Sequence, residues 1–246
     1  MTKISIFGAS GRMGKALIDL IAINPNLQLV GALCSPDNAN IGTLVPAVSN
    51  IKYLADHKQV VADADVVIDF TLPHALAKNI QVAIEEGKPI VSGVTGMSSQ
   101  DIDVLKEASK VIPVLYDRNM SLGMHIFMES IRHITDKLPE DYQVSILDEH
   151  HAGKKDAPSG TAIAISEIIN DSRGADFHQN EIGFSSSREG EIIGTHKVTF
   201  QDDYDELIFT HRASSRNLFA DGALKAALWL KDQSSGFYSI KSMINT

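Results

Sequence analysis

The stretch Lys3-Ile4-Ser5-Ile6-Phe7-Gly8-Ala9-Ser10-Gly11-Arg12-Met13-Gly14, followed by a helical run from Lys15 to about Ile23, decides the fold. Lys3 to Phe7 reads as a short buried strand, the glycines as a turn, and the run behind them as a helix. Strand, glycine turn and helix in that order form the setting in which a dinucleotide pyrophosphate sits on a helix N-terminus. The spacing Gly-x-x-Gly-x-x-Gly is a variant of the usual fingerprint. Gly8 permits the tight turn, Gly11 lets the backbone approach a pyrophosphate, and Gly14 lets the helix pack closely on the sheet. A plain strand-turn-helix junction is the alternative reading of the same glycines.

Working outward, Leu27 to Leu33 reads as a second strand after the turn Asn24-Pro25-Asn26. Its end, where an adenosine ribose would lie, carries Cys34-Ser35-Pro36-Asp37, so no carboxylate stands immediately at the strand end. Residues 38–58 are irregular and read as loop with short elements. Ala64 to Phe70 is a strand, and Thr71-Leu72-Pro73 opens a helix with Leu76, Ile80, Ala83 and Ile84 on one face before Gly87. Pro89 to Ser92 ends in Gly93-Val94-Thr95-Gly96, Ser98-Ser99 caps a helix carrying Ile102, Leu105 and Ala108, and Val111 to Tyr116 is a fifth strand. The repeated units predict an α/β fold, a Rossmann-like doubly wound parallel sheet whose turns at Gly8, Thr71, Gly93 and Asp117 converge on a ligand.

The character changes after Ser121-Leu122-Gly123. A helix from Met124 to Leu138 leads into a strand from Tyr142 to Leu147. Ile192 to Phe200 and Glu206 to His211 form a hairpin through Gln201-Asp202-Asp203-Tyr204-Asp205, and Ala220 to Lys231 is a helix. The division expected is a dinucleotide-binding domain over 1–121, completed by 217–246. Residues 122–216 then form an α+β substrate and oligomerisation domain with a mixed or antiparallel sheet. Its β-rich segments are long for a lone small sheet with exposed edges, which points to assembly.

The strand from Tyr142 delivers Glu149-His150-His151-Ala152-Gly153-Lys154-Lys155-Asp156-Ala157-Pro158-Ser159-Gly160-Thr161-Ala162. His150 and His151 exchange protons near neutral pH, and Lys154 adds a fixed positive charge and a potential proton source. Ser159-Gly160-Thr161 precede the apolar-rich run Ala162 to Ile169, so the N–H groups of a helix start face the same space and suit a carboxylate. The pattern reads as a pocket for a small dianion, with a solvated loop as the alternative. A zinc site is the weaker option. Neighbouring residues on a strand point to opposite faces, and no His-x-x-x-His or paired-cysteine spacing accompanies them, so no metal is expected.

Composition narrows the classes. The 246 residues, 43% hydrophobic and 22% charged, suffice for one large or two modest domains. There is no apolar run long enough to span a bilayer and no signal-like N-terminus, so the expectation is a cytoplasmic protein without a membrane partner. A net charge of −9 argues against nucleic acid, which requires clustered cations. The single cysteine, Cys34, allows no internal disulfide and fits a reducing compartment.

The glycine turn together with Glu149-His150-His151-x-x-Lys154-x-Asp156-Ala157-Pro158-Ser159-Gly160-Thr161-Ala162 closely resembles the 4-hydroxy-tetrahydrodipicolinate reductase (dihydrodipicolinate reductase) family of bacterial lysine biosynthesis. Asp69-Phe70-Thr71, Asn119-Met120-Ser121, Ile193-Gly194-x-His196 and His211 through Arg216 also look like family segments, so the resemblance covers nearly the whole chain. It implies reduction of (2S,4S)-4-hydroxy-tetrahydrodipicolinate, a cyclic imine dicarboxylate, to tetrahydrodipicolinate with NADH or NADPH, the hydroxyl leaving as water. A cytoplasmic homotetramer built through the second domain's sheet is implied too. By matching position, His150 takes a proton donor and acceptor role, Lys154 a proton donor role, and His151, Gly160 and Thr161 contact substrate. Gly8, Ala9, Ser10, Gly11, Arg12 and Met13 match the pyrophosphate turn. Gly93, Val94 and Thr95 match the loop beside the nicotinamide, and Asp117, Arg118, Asn119 and Met120 the segment next to the cofactor. Arg216 matches a position that orients substrate.

Three positions depart from the family pattern: Ser35-Pro36 where Glu-Arg or an Asp is common, Val94 where a Thr is common, and Asp117-Arg118 in place of two small residues. Arg12 and Lys15 suit a 2′-phosphate and favour NADPH, whereas Asp37 is the argument for NADH. Two other readings fit part of the sequence. A semialdehyde dehydrogenase would need a reactive cysteine in the second half, which is absent, and a non-catalytic NAD(P) sensor has no use for His150, His151 and Lys154 together.

Overall fold

The structure, a computed structural model, describes residues 1–48, 50–173 and 182–246. Two compact units divide the chain, Met1–Leu122 with Asn217–Thr246, and Gly123–Arg216.

In the first unit the elements are β1 (Thr2–Phe7), α1 (Arg12–Ile23), β2 (Leu27–Leu33), β3 (Tyr53–Leu54), α2 (His57–Val61), β4 (Val66–Asp69), α3 (Pro73–Glu85), β5 (Ile90–Ser92), α4 (Ser99–Ala108) and β6 (Pro113–Tyr116). Its seven strands, counting β11 below, lie in the order β11-β6-β5-β4-β1-β2-β3, and every pairing is parallel. Because both faces are covered, the strands carry apolar residues on both sides. Ile4, Ile6, Val66 and Ile68 pack on one face, whereas Phe7 and Val67 pack on the other. Chain order reverses between β1 and β4, which is where such a sheet opens a crevice at its strand ends.

Local signals explain most boundaries. Ser98 caps α4 reciprocally with Asp101, and Pro73 stands at the start of α3, where its missing N–H costs nothing. Two expectations need correction. Ile84 is 40% exposed, because it lies about 100° further round the helix than Ala83, off the buried stripe of Leu76, Ile80 and Ala83. Val111 is 62% exposed, since the turn after α4 runs on to Ile112 and β6 begins only at Pro113.

The second unit contains α5 (Leu122–Thr135, whose first residue belongs to the first unit), β7 (Gln143–His150), α6 (Gly160–Arg173), β8 (Ile182–Arg188), β9 (Gly194–Gln201) and β10 (Glu206–Ala213). The sheet order is β10-β9-β7-β8. β7 pairs antiparallel with β9 and β9 with β10, whereas β7 and β8 are parallel and joined through α6, so the sheet is mixed. Met124, Phe127 and Ile131 of α5 and Ala162, Ile165 and Ile169 of α6 bury one face against Val144, Ile146, Val198 and Phe200. On the opposite face Ser145, Thr210 and Arg212 are exposed, and Ile208 is 48% exposed.

The chain then returns to the first unit as α7 (Asn217–Leu230), β11 (Gly236–Tyr238) and α8 (Ile240–Ile244). Ala220, Ala223, Ala226 and Ala227 bring α7 down onto the sheet face that α1 also covers. Gly222 is the tightest point: a Cβ there would lie 1.7 Å from the Met120 carbonyl oxygen. No described helix is long and apolar enough to cross a membrane. Alanine normally gains about 1 kcal/mol over glycine inside a helix. Here overpacking against backbone reverses the sign, and Gly222→Ala is expected to destabilise the protein by at least about 1 kcal/mol net. A thermal melt at fixed protein concentration checks this, and a midpoint equal to or above wild type contradicts the packing account.

Candidate functional site

At the C-terminal strand ends of the first unit lies a cleft of about 820 Å³. Gly8 adopts φ +79°, and a Cβ there would come within 2.8 Å of the Phe70 carbonyl oxygen. At Gly14 a Cβ would come within 2.4 Å of the Gly8 oxygen, so α1 presses directly on the turn. Helix α1 starts at Gly11 with no side-chain cap and no acid in its first turn, which leaves its amides open to an anion. That cradle fits a pyrophosphate.

The charge around it fits as well. Arg12, Lys78 and Arg118 line the cleft together with His57 and His74, and no Asp or Glu lies among the described lining residues. Asp69, at the end of β4, is fully buried. Its oxygens accept from the Thr71 amide at 2.8 Å and the Asn79 side chain at 2.9 Å, while burial pushes its pKa up. Asn79 also meets the His57 ring at 3.1 Å, and burial lowers the His57 pKa. At the end of β2, Ser35, Pro36 and Asn38 form a wall, and Asn38 donates to the Ser10 hydroxyl at 3.0 Å.

The anticipated cofactor residues divide into two groups. Gly8, Ser10, Gly11, Arg12, Met13, Gly93, Thr95, Arg118 and Met120 line the cleft. Ala9 and Val94 are buried, so the hydroxyl that Val94 lacks would not have faced this space. Asp117 and Asn119 are not among the lining residues; Asp117 accepts from the amides of Asn119 at 3.1 Å and Ile240 at 3.4 Å, capping its own turn and α8. Asp37 is exposed and not among the lining residues. His57, His74, Lys78, Asn79 and Phe219 were missed. His74 and Lys78 are four apart near the start of α3, a spacing that puts both on one helix face and was available to sequence reasoning.

In the second unit, alternation along β7 buries Asp148 and His150 on one side, and the loop after the strand carries the remaining polar groups. Pairing with β9 sets His196 opposite Asp148, and pairing with β8 sets Arg188 opposite His150. Asp148 Oδ2 accepts from Arg188 Nη2 at 2.8 Å and from the Ser159 amide at 2.9 Å. Its Oδ1 lies 3.0 Å from His150 Nδ1 and 3.3 Å from His196 Nε2, at ion-pair distance though not aligned as hydrogen bonds. Burial works against the Asp148 charge, but Arg188, Ser159 and His150 outweigh it and hold the carboxyl below its usual range. Burial also lowers His150, against the pull of Asp148, and takes His196 down to about 4.

The loop is tied at both ends. Arg188 donates to the carbonyls of Asp148 and Asp156, and the Ala152 amide donates to the Gly190 carbonyl at 3.2 Å. Lys154 Nζ pairs with Asp156 at 2.9 Å, which lowers the Asp156 pKa. Ser159 caps α6 by accepting from the Ala162 amide at 3.2 Å, leaving the amides of Gly160 and Thr161 in the first turn. His151 and Thr161 are half-buried and Gly160 is exposed, as suits groups that meet a ligand.

Asp148, His150 and His196 place donor atoms within 4.8 Å of one another, the one such set among the described residues. A divalent ion held at Oδ1 between the two rings would lie close to the Arg188 guanidinium on Oδ2, whose positive charge would repel it. Arginine already supplies the compensating charge, so the set reads as a polar network. Sequence reasoning missed Asp148, Arg188 and the place of His196 in it, since strand register alone brings them together.

Comparison with known proteins matches both halves of the chain. The family described as dihydrodipicolinate reductase, N-terminus, matches residues 2–120, and its C-terminus counterpart matches residues 123–244. The 4-hydroxy-tetrahydrodipicolinate reductase of Pseudoalteromonas atlantica is 37% identical over 99% of both chains, and that of Hahella chejuensis is 35% identical over 99% of both. A dipicolinate-bound dihydrodipicolinate reductase from a Paenisporosarcina species has the same fold, with a TM-score of 0.80 at 20% identity over 97% of each chain. Matched in both halves and along its full length, this chain belongs to the dihydrodipicolinate reductase family.

Proposed function

We propose that the chain reduces 4-hydroxy-tetrahydrodipicolinate to tetrahydrodipicolinate in diaminopimelate and lysine biosynthesis, using NADPH in preference to NADH, with His150 and Lys154 as its proton-handling residues. One observation carries the mechanism. Within the second unit, a loop tied at both ends presents His150, Lys154 and the open first turn of α6 together. A bound nicotinamide would supply the hydride. The protein must do the rest: hold a dianion, exclude the wrong orientation and move one proton.

The amides of Gly160 and Thr161 suit one substrate carboxylate, Lys154 supplies charge for the dianion, and His151 offers it a ring N–H. Loss of the hydroxyl with a ring proton as water leaves a carbon conjugated with the imine. Hydride addition there places an electron pair on the conjugated system, and one proton must then reach the ring. His150, with Nδ1 against Asp148, has Nε2 as the atom that delivers or relays it, and Lys154 Nζ stabilises the developing charge. Lys154 must part from Asp156 to do so, an exchange of one carboxylate for another.

Arg12, Lys78 and Arg118 in a cleft lined by no described carboxylate support NADPH, and Ser35 and Asn38 suit a 2′-phosphate at the end of β2. A homotetramer is supported by the open sheet face carrying Ile208, and light scattering at micromolar concentration tests it, a monomer removing it.

Steady-state kinetics on freshly prepared substrate test the assignment. His150→Gln and Lys154→Ala are each expected to lower kcat at least about tenfold, Lys154→Ala also raising KM, whereas Thr161→Val acts mainly on KM. NADPH is expected to exceed NADH in kcat/KM. An NADH preference above about tenfold, or ~1.4 kcal/mol, contradicts the charge argument, and full kcat in His150→Gln contradicts its proton role.

A further inference from the structure

Asp148 is the buried charge that the proposed chemistry leaves without a task. It has no exposed surface, yet it sits against His150 and binds both the arginine and the amide that tie down the loop. We propose that Asp148 is the positioning residue of the reductase site: clamped by Arg188 and the Ser159 amide, its carboxylate keeps the His150 proton on Nδ1 and leaves Nε2 to exchange with substrate. This rests on the reading of His150 as proton donor.

The geometry supports it from three sides. Asp148 and His150 are two apart on β7 and so share a face. The ring is closely approached on its far side too, because a Cβ on Gly194 would lie 3.1 Å from His150 Nε2, a tight contact that glycine avoids. Oδ1, the oxygen turned to the imidazoles, is not held by Arg188 or Ser159, which both bind Oδ2. One carboxylate thus divides its work: Oδ2 builds the loop and Oδ1 faces the histidine.

The groups acting on His150 come from every neighbouring element. Asp148 on β7 favours its protonated form, and so does Asp156 on the loop; Arg188 on β8 and Lys154 on the loop oppose it. His196 on β9 stacks edge-on with centroids 5.3 Å apart, and burial keeps that ring neutral above about pH 4. Removing Asp148 should therefore make His150 release its proton at lower pH. Removing Arg188 should do the reverse, and a merely structural role for the pair produces no such opposition.

Two readouts test the proposal on the full-length protein. In the first, Asp148→Asn, which keeps the shape and removes the charge, should lower kcat by about thirtyfold or more while KM stays within about threefold and NADPH affinity is unchanged. The alkaline limb of kcat should move to lower pH in Asp148→Asn and to higher pH in Arg188→Gln. The second needs no substrate. The rate of His150 acylation by diethyl pyrocarbonate, located by peptide mass spectrometry between pH 5 and 8, follows the neutral imidazole. Its midpoint should fall by about one unit or more in Asp148→Asn and rise in Arg188→Gln. Unshifted midpoints, or shifts of the same sign, overturn the proposal, and Arg188→Gln alone decides if Asp148→Asn does not fold. If wild type fails to turn over the substrate, the reductase reading fails, and the acylation midpoints still decide whether Asp148 governs His150.

Discussion

A single buried carboxylate organises the second unit. Asp148 fastens the end of β7 to Arg188 on β8 and to the amide that opens α6, and it faces imidazoles from β7 and β9. A charge with no exposed surface is tolerable only when compensated, and stripping one partner from a buried ion pair costs on the order of 3–5 kcal/mol. The compensation is also what shapes the site. Arg188 reaches past Asp148 to the Asp156 carbonyl, so the groups that neutralise the carboxylate also fix the loop bearing Lys154. The arginine that compensates the buried carboxylate and the lysine of the loop are different residues, and Lys154 pairs with the exposed Asp156 and not with Asp148.

The first unit meets the opposite problem with backbone. Its ligand is anionic and the chain as a whole carries −9, so attraction must be local. The uncapped start of α1 and the lining cations Arg12, Lys78 and Arg118 provide it. Asp69, buried behind the Thr71 turn, is held by hydrogen bonds from Thr71 and Asn79, and burial weakens its tendency to ionise. Both its oxygens are occupied by these donors, and Asp69 is not among the residues that line the cleft.

Sequence reasoning reached the features that are local and missed those that depend on register. The glycine turn, the βα repeats and the Ser98 cap are each written within a dozen residues, and the structure has them where the pattern places them. Strand β8 gave no signal, because Gly183 and three serines replace the β-branched residues a strand normally shows. Without β8, Arg188 had no address. The same blindness hid His196, which reaches Asp148 only through the β7–β9 pairing. His150 and Lys154 were legible as chemistry because proton donors and an open helix start share one short stretch. The buried carboxylate beside His150 was not, since Asp148 reads as one more acid on a strand.

The proposed reaction divides its labour: a hydride from the nicotinamide cofactor and a proton from acids of the second unit. Isotope transfer reads both at once. With NADPH deuterated at the nicotinamide position that donates hydride, one deuterium should appear in tetrahydrodipicolinate. With unlabelled NADPH in D₂O, one deuterium should enter from solvent at a different ring carbon. The solvent-derived step should become the slower one in His150→Gln, visible as a larger solvent isotope effect on kcat. Product without cofactor-derived label, or a solvent isotope effect unchanged in His150→Gln, would contradict the division.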